Sequence, residues 1–205
     1  MKSSGAAKKS KTKFSLFIIE SLDFDDEKRR REGRILRDIL RMSDHTVHYI
    51  YIRTARELEV ALDQFQDAGS RYLHVSSHGN TTSVGLTLDT IPFHEFGEMV
   101  VPYLRERRLF MSACSVVNSD LARVILPGSG CHSLIGPSYN IDFDDAVMMW
   151  ATFYHLMFRD PEIHAMMGGR IRWGLRRVRY AFQREFDYFR PSGARGYEKV
   201  DVEER

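Results

Sequence analysis

The chain has 205 residues, of which 43% are hydrophobic and 12% aromatic, and its 30 basic and 28 acidic residues leave a formal charge of +2. This composition supports one substantial hydrophobic core, so it excludes a largely disordered chain and makes one domain the default. The near balance of charge means that overall electrostatics do not by themselves require nucleic acid or a membrane as a partner.

The number of cysteines and the length of the apolar runs indicate where in the cell the protein is expected. The two cysteines, Cys114 and Cys131, are too few for a disulfide-stapled secreted domain and lack the paired spacing of a zinc ribbon. We therefore expect a reducing, cytoplasmic location. No apolar run approaches the roughly 20 residues of a membrane span, so no membrane contact is expected.

Apolar runs alternate with amphipathic segments along most of the chain. Strands are expected at 14–21, 47–53, 72–76, 109–112 and 131–136, with a small hairpin arm at 84–88. Helices are expected at 27–42, 54–69, 92–107, 120–126, 146–158 and 169–189. This order predicts an α/β protein with a mostly parallel sheet between helices on both faces.

Domain boundaries follow from the same pattern. Residues 1–13 are basic and contain almost nothing to bury, which predicts a disordered tail. A single domain is expected over 14–190, including the C-terminal basic helix, with a flexible tail over 191–205. In the first helix, residues 23–26 are expected to supply the N-cap, and the charged run over 28–34 is interpreted as a solvated outer face.

Two short apolar runs each end in a reactive side chain. Residues 72–80 read Tyr-Leu-His-Val-Ser-Ser-His-Gly-Asn, and residues 109–115 read Leu-Phe-Met-Ser-Ala-Cys-Ser. The carboxyl ends of parallel strands meet at one edge of a sheet, so His78 and Cys114 are expected to lie together. An imidazole beside a thiol can take its proton during nucleophilic attack. The alternative for Cys114 is a small apolar core residue.

The backbone around these residues suits acyl transfer. Gly79 permits a close approach of the main chain, and the N–H groups of Gly79 and Cys114 are the candidates for binding a developing oxyanion. A metal site is not expected. His74 and His78 lie about 13 Å apart in a strand and cannot share an ion, and Cys131 is followed directly by a histidine without spaced partners.

The pair Ser-Ser-His-Gly and Ser-Ala-Cys-Ser, each placed after a main strand, resembles the caspase-like cysteine proteases, most closely the CHAT and separase branch. The resemblance covers roughly residues 14–158. It implies a caspase-like three-layer sandwich, with His78 as general base, Cys114 as nucleophile and Gly79 as oxyanion donor. It also implies a protein or peptide substrate, control by an activating or inhibiting protein partner, no cofactor, and a role in bacterial stress or phage defence.

An acidic segment follows the fifth predicted strand. Residues 136–145 read Gly-Pro-Ser-Tyr-Asn-Ile-Asp-Phe-Asp-Asp and are similar to the segment that supplies an acidic specificity pocket in arginine-cleaving members of that fold. By that similarity, Asp142 and then Asp144 are the substrate-binding candidates, because a carboxylate favours a cationic side chain. The alternative is that Asp142, Asp144 and Asp145 only cap the following helix in solvent.

The C-terminal region offers a hypothesis of another class. Eight arginines stand between residues 166 and 195 against two acidic residues, with aromatic residues interleaved. Such a helix can track a phosphate backbone or dock an acidic protein. The candidate contacts are Arg170, Arg172, Arg176 and Arg177. On this hypothesis the chain is a catalytically silent binding module of caspase-like fold; an ordinary solvated helix face is the simpler alternative.

Overall fold

The structure is a computed structural model that describes residues 14–43, 45–160, 165–193 and 195–203. The described strands are β1 (Ser15–Ser21), β2 (Thr46–Tyr51), β3 (Tyr72–Gly79), β4 (Ser83–Gly85), β5 (Thr90–Pro92), β6 (Arg108–Ser112), β7 (Ser133–Gly136), β8 (Asp187–Arg190) and β9 (Glu198–Lys199). The described α-helices are α1 (Glu32–Arg41), α2 (Ala55–Asp67), α3 (Phe93–Val100), α4 (Ser119–Ile125), α5 (Phe143–Phe158) and α6 (Gly168–Phe182). The predicted tail over 1–13 lies outside the described residues.

The strands form one sheet in the order β2-β1-β3-β6-β7-β8-β9, and the β4–β5 hairpin extends from the end of β3. The pairs β1–β2, β1–β3, β3–β6 and β6–β7 are parallel. The pairs β7–β8 and β8–β9 are antiparallel. The predicted α/β architecture with a mostly parallel sheet is therefore confirmed.

Apolar clusters cover both faces of the sheet, because side chains of its central strands point alternately to each side. On one face, Phe17 and Leu73 pack among residues of α2, α3 and α4. On the other face, Ile18 and Phe110 pack among residues of α1, α5 and α6, with Trp150 of α5 fully buried at the centre. The reactive ends of β3 and β6 thus project from a rigid, two-sided core.

The C-terminal segment differs from the predicted helix over 169–189 and flexible tail over 191–205. Helix α6 ends at Phe182 because Gln183 takes a left-handed conformation with φ of 54°, which closes the helix. The chain then returns as β8, which pairs with β7, and as β9, which pairs with β8, and Val202 is 9% exposed. The predicted helix is therefore wrong beyond Phe182, and β9 lies within the stretch predicted as a tail.

The first helix also begins later than predicted. A single 3-10 turn covers Asp26–Lys28, and α1 starts only at Glu32. Because of this break, Asp23 and Asp26 remain at the carboxyl edge of the sheet. The charged run over 28–34 is consequently not all solvated, since Glu32 is 3% exposed.

A buried carboxylate joins the start of α1 to the end of β1. Glu20 is fully buried, and its Oε1 accepts a hydrogen bond from the N–H of Gly33 at 2.6 Å. Its Oε2 accepts one from the hydroxyl of Tyr49 at 2.7 Å. Burial outweighs these hydrogen bonds and, with the nearby charge of Glu32, raises the pKa of Glu20 to about 7.

We predict that Glu20→Gln reduces the pH dependence of stability. The folded pKa of Glu20 lies above its ordinary value of 4.5, so the stability that this group contributes below pH 4.5 is lost as pH rises through about 7. The loss reaches at most about 1.4 kcal/mol per pH unit in that window. Relative to wild type, the glutamine variant should therefore gain stability between about pH 5 and pH 8, measured by urea unfolding.

The exposed residue Glu59 offers a matched control for this experiment. Glu59→Gln should leave the pH dependence of the unfolding free energy as it is in wild type. Equal pH slopes in wild type and Glu20→Gln would contradict the assignment of a raised pKa to Glu20.

Candidate active site

A cavity of about 210 Å³ opens beyond the carboxyl ends of β3 and β6. His78 and Cys114 both line it, as does Asp142, so the structure brings these three predicted residues together. Asp144 lines a neighbouring cavity of about 520 Å³ between α1 and α5. The residues lining the smaller cavity are Asp26, Arg30, Glu32, Ser77, His78, Ser112, Ala113, Cys114, Ile141, Asp142, Phe143 and Ala146.

His78 is held between two carboxylates and an aromatic ring. Its Nε2 lies 3.1 Å from Oδ2 of Asp26 and 3.6 Å from Oδ2 of Asp23, and its ring meets that of Phe143 edge-on at a centroid distance of 5.7 Å. The Asp26 contact is at ion-pair distance, although it is not aligned as a hydrogen bond. A carboxylate beside Nε2 favours a proton on that nitrogen and leaves Nδ1 as the basic atom.

The sequence pattern does not predict the contact of Asp26 with His78, because it assigns residues 23–26 to the N-cap of the first helix. These aspartates directly follow β1, the strand that pairs with β3, so their position at the same sheet edge is the signal that could have indicated them. Among the described residues, ligand atoms of Asp23, Asp26 and His78 lie within 4.8 Å of one another, a spacing that can also hold a metal ion. A cation there would occupy Nε2 of His78.

Cys114 sits in a turn that is tied to the loop before α5. Its thiol donates a hydrogen bond to the carbonyl of Ile141 at 3.6 Å, and the N–H of Ser115 donates to the carbonyl of Tyr139 at 3.0 Å. The two cysteines differ in environment. Cys114 is partly exposed, whereas Cys131 is fully buried, and burial raises the pKa of the Cys131 thiol to about 11.

Gly79 allows β3 to touch the turn that carries the cysteine. A Cβ at position 79 would lie 2.2 Å from Cγ2 of Val116 and 3.4 Å from Cβ of Ala113. A side chain at this position would therefore push the turn away from the strand. The close approach is what the oxyanion hypothesis for the N–H groups of Gly79 and Cys114 requires, and that hypothesis stays a prediction.

The residue after the nucleophile candidate holds a strained backbone. Ser115 has φ of 58°, in the left-handed region that disfavours residues with a Cβ. Its hydroxyl lies 3.1 Å from Oδ1 of Asn140, and its carbonyl accepts a hydrogen bond from Nδ2 of Asn118 at 3.1 Å. These contacts hold a conformation that the sequence alone does not favour.

We predict that Ser115→Gly is more stable than Ser115→Ala by about 1 kcal/mol, because glycine adopts this φ without steric cost while alanine does not. Both variants lose the hydroxyl, so their difference isolates the backbone. Thermal or urea unfolding of the pair measures it. Equal stabilities, or a more stable alanine variant, would show that Ser115 carries no such strain.

The two candidate substrate carboxylates are both exposed. Asp142 occupies the N-cap position of α5, and its side chain makes no capping hydrogen bond within the described helix, whereas Asp144 and Asp145 lie in the first turn. The N-cap is thus Asp142 rather than the two later aspartates. The smaller cavity nevertheless carries three carboxylates, of Asp26, Glu32 and Asp142, against the one guanidinium of Arg30.

The arginines of the C-terminal region are less free than their number indicates. Arg170 pairs with Asp160, and Arg179 pairs with Glu185 and Glu203. Arg177 lies over the ring of Trp173 at 5.4 Å. The ion pairs lower the net positive charge of the surface. Nucleic-acid binding through Arg170, Arg172, Arg176 and Arg177 stays a prediction without further support. Within the described part of the chain, every helix is too short or too polar to cross a bilayer.

The sheet order and the site at its carboxyl edge define an α/β protein of caspase-like fold. The Arg-specific cysteine proteinase gingipain R (RgpB) is similar at 13% identity and a TM-score of 0.52, over 82% of this chain and 42% of that one. The complex of Porphyromonas gingivalis RgpB pro- and mature domains is similar at 18% identity and a TM-score of 0.51, over 83% of this chain and 43% of that one.

The likeness to these structures concerns the fold. The chain spans about two fifths of their length. No protein-family model matches the sequence, and no curated protein matches it either. The predicted caspase-like fold is therefore confirmed, whereas the CHAT and separase branch has no support in these comparisons.

Proposed function

We propose that the chain is a cysteine endopeptidase in which His78 and Cys114 form the catalytic pair. The observation that carries this proposal is that both side chains line one cavity at the carboxyl edge of β3 and β6, with Asp26 behind the imidazole. The caspase-like fold supports it, since the similar structures are named as cysteine proteinases. We propose that Asp26 orients the His78 ring, because its carboxylate lies 3.1 Å from Nε2.

The proposed chemistry is acyl transfer by the Cys114 thiol. Nδ1 of His78 takes the thiol proton of Cys114, and Sγ attacks the substrate carbonyl carbon, so that an S–C bond forms and the carbonyl electrons move to oxygen. The N–H groups of Gly79 and Cys114 are proposed to bind that oxyanion. Imidazolium then returns the proton to the leaving amine as the C–N bond breaks. Water hydrolyses the thioester with His78 again as base.

Activity against a fluorogenic arginyl peptide tests the proposal. Cys114→Ala and His78→Ala should each abolish turnover, and Asp26→Asn should lower kcat by about 10-fold to 100-fold, because it removes the carboxylate that holds Nε2 of His78. The distant Asp67→Asn is the matched control. Equal turnover by wild type and Cys114→Ala would end the proposed mechanism.

Thiol labelling separates the chemistry from the choice of substrate. Iodoacetamide should modify Cys114 well before the buried Cys131. The labelling rate of Cys114 itself should fall in His78→Ala, because the thiol loses its base. A wild-type protein that labels in this way but cleaves no peptide would be a peptidase whose substrate or activator is missing. A protein that shows neither property would favour the binding-module hypothesis.

A preference for a basic residue before the scissile bond is the finer part of the proposal. The carboxylates of Asp26 and Asp142 against the one guanidinium of Arg30 give the cavity a negative balance, which favours a cationic substrate side chain. The Glu32 carboxylate is not counted, because it accepts hydrogen bonds from Ser76 and Ser112. Asp142 lines this cavity, and Asp144 lines the adjoining one. We propose Asp142 as the main contact and Asp144 as a weaker one.

Charge removal at these two positions tests the preference. Asp142→Asn should raise KM for an arginyl peptide by about 2-fold to 5-fold and leave KM for a matched neutral peptide nearly unchanged, because an ion pair at an exposed carboxylate contributes about 0.5 to 1 kcal/mol. Asp144→Asn should have the smaller effect, and Asp38→Asn on α1 is the control. A proportional change for both peptides would show that the carboxylates serve the fold.

The biological setting is proposed from the sequence resemblance. We propose a cytoplasmic, CHAT-like peptidase of bacterial stress or phage defence that is controlled by an activating or inhibiting protein. The RgpB pro- and mature-domain complex supports the last point, because it shows one protein of this fold bound by another polypeptide domain. Copurification of a partner that changes the Cys114 labelling rate would identify the controlling protein.

A further inference from the structure

The backbone pairing of β3 with β6 ends just before the catalytic pair. Its last register position is Ser76 opposite Ser112. Beyond that point β3 continues alongside β4, whereas β6 ends and the chain enters the turn that carries Cys114. His78 and Cys114 each lie two residues past the last pair. Ladder hydrogen bonds therefore do not set their separation.

One buried carboxylate spans this last pair. Oε2 of Glu32 accepts a hydrogen bond from Oγ of Ser76 at 3.0 Å and another from Oγ of Ser112 at 2.9 Å. Glu32 is the first residue of α1, is 3% exposed and lines the cavity that contains His78 and Cys114. A single oxygen atom thus bonds to both strands where they separate.

The other oxygen of this carboxylate faces a buried histidine. Oε1 of Glu32 lies 3.7 Å from Nε2 of His74, and neither atom has a hydrogen-bond partner among the described residues. Nδ1 of His74 is within 3.0 Å of the Tyr154 hydroxyl. Burying a carboxylate without full hydrogen bonding costs stability. Glu32 nevertheless satisfies the two buried hydroxyls of Ser76 and Ser112, so the bridge between these strands is what its carboxylate supplies here.

We propose that Glu32 is a positioning residue that clamps the ends of β3 and β6 and thereby sets the separation of His78 and Cys114. This inference rests on the proposed peptidase function. The clamp is itself anchored, because Glu20 holds the N–H of Gly33 next to it. Asp26, the partner of His78, lies on the same segment between β1 and α1. That segment therefore contacts His78 through Asp26, and it contacts the ends of β3 and β6 through Glu32.

Three variants test whether Glu32 acts through its hydrogen bonds to the two serines or through its negative charge. Glu32→Gln keeps an oxygen that can accept both hydroxyls, so kcat for the arginyl peptide should stay within about 3-fold of wild type. Glu32→Asp is one methylene shorter and should lower kcat by about 10-fold to 100-fold with little change in KM. The Ser76→Ala/Ser112→Ala double variant should lower kcat similarly, and adding Glu32→Asp to it should lower kcat little further.

Hydrogen exchange measures the clamp without peptidase activity. Glu32→Asp and the double serine variant should increase amide exchange in segments 77–79 and 113–118. Ser70→Ala is the matched control, because Ser70 is a fully buried serine just before β3 whose hydroxyl bonds only to Ser15 among the described residues. It should leave both segments and kcat unchanged.

The outcomes decide between distinct explanations. Unchanged exchange and kcat in Glu32→Asp and in the double serine variant would overturn the clamp. A Glu32→Gln variant that loses its preference for arginyl over neutral peptides, with KM raised and exchange unchanged, would also overturn it and assign Glu32 as a substrate contact. An inactive wild type whose Cys114 labelling ignores His78 would refute the proposed function instead, while the exchange measurement would still decide whether the clamp exists.

Discussion

The parallel pairing of β3 with β6 is the interaction on which the rest of the structure depends. Both strands are covered by helices on each face, so their pairing fixes the core and also the edge at which reactive side chains meet. The strands then separate beyond Ser76 and Ser112, which creates the cavity. The paired strands are thus rigid as far as Ser76 and Ser112, and the candidate site residues stand in the segments that follow.

Several polar side chains are buried in the core beneath this cavity, and their burial costs stability. Glu20, Glu32 and His74 are almost fully buried, and each is held by neighbours from other strands or helices. Low local polarity makes such hydrogen bonds strong when they are satisfied and their loss expensive when they are not. The polar groups consequently gather on the α1 and α5 face, behind the site, where they orient the strand ends.

The sequence predicts those features that depend on residues close together in the chain, such as helix starts and buried strands. Thr54 and Glu57 form a capping box that starts α2 where the helix is expected to begin, and the runs that precede His78 and Cys114 are the expected parallel strands. The end of α6 was mispredicted because aromatic residues at helical spacing continue past Gln183, while Phe186 and Tyr188 also fit the alternation of a strand. Glu32 and Asp26 were missed because their partners lie on distant strands, and a charged run resembles an exposed face until the fold is known.

The contact between Gly79 and Val116 has a consequence for how sequences of this fold diverge. The space that a side chain at position 79 would need is already filled by Cγ2 of Val116. The two positions therefore share one volume: a larger residue at 79 becomes acceptable only when 116 shrinks, or when the turn moves and carries Cys114 with it. Substitutions at these two positions should be correlated in related sequences that keep the turn in its present place, and independent in those where the turn has moved.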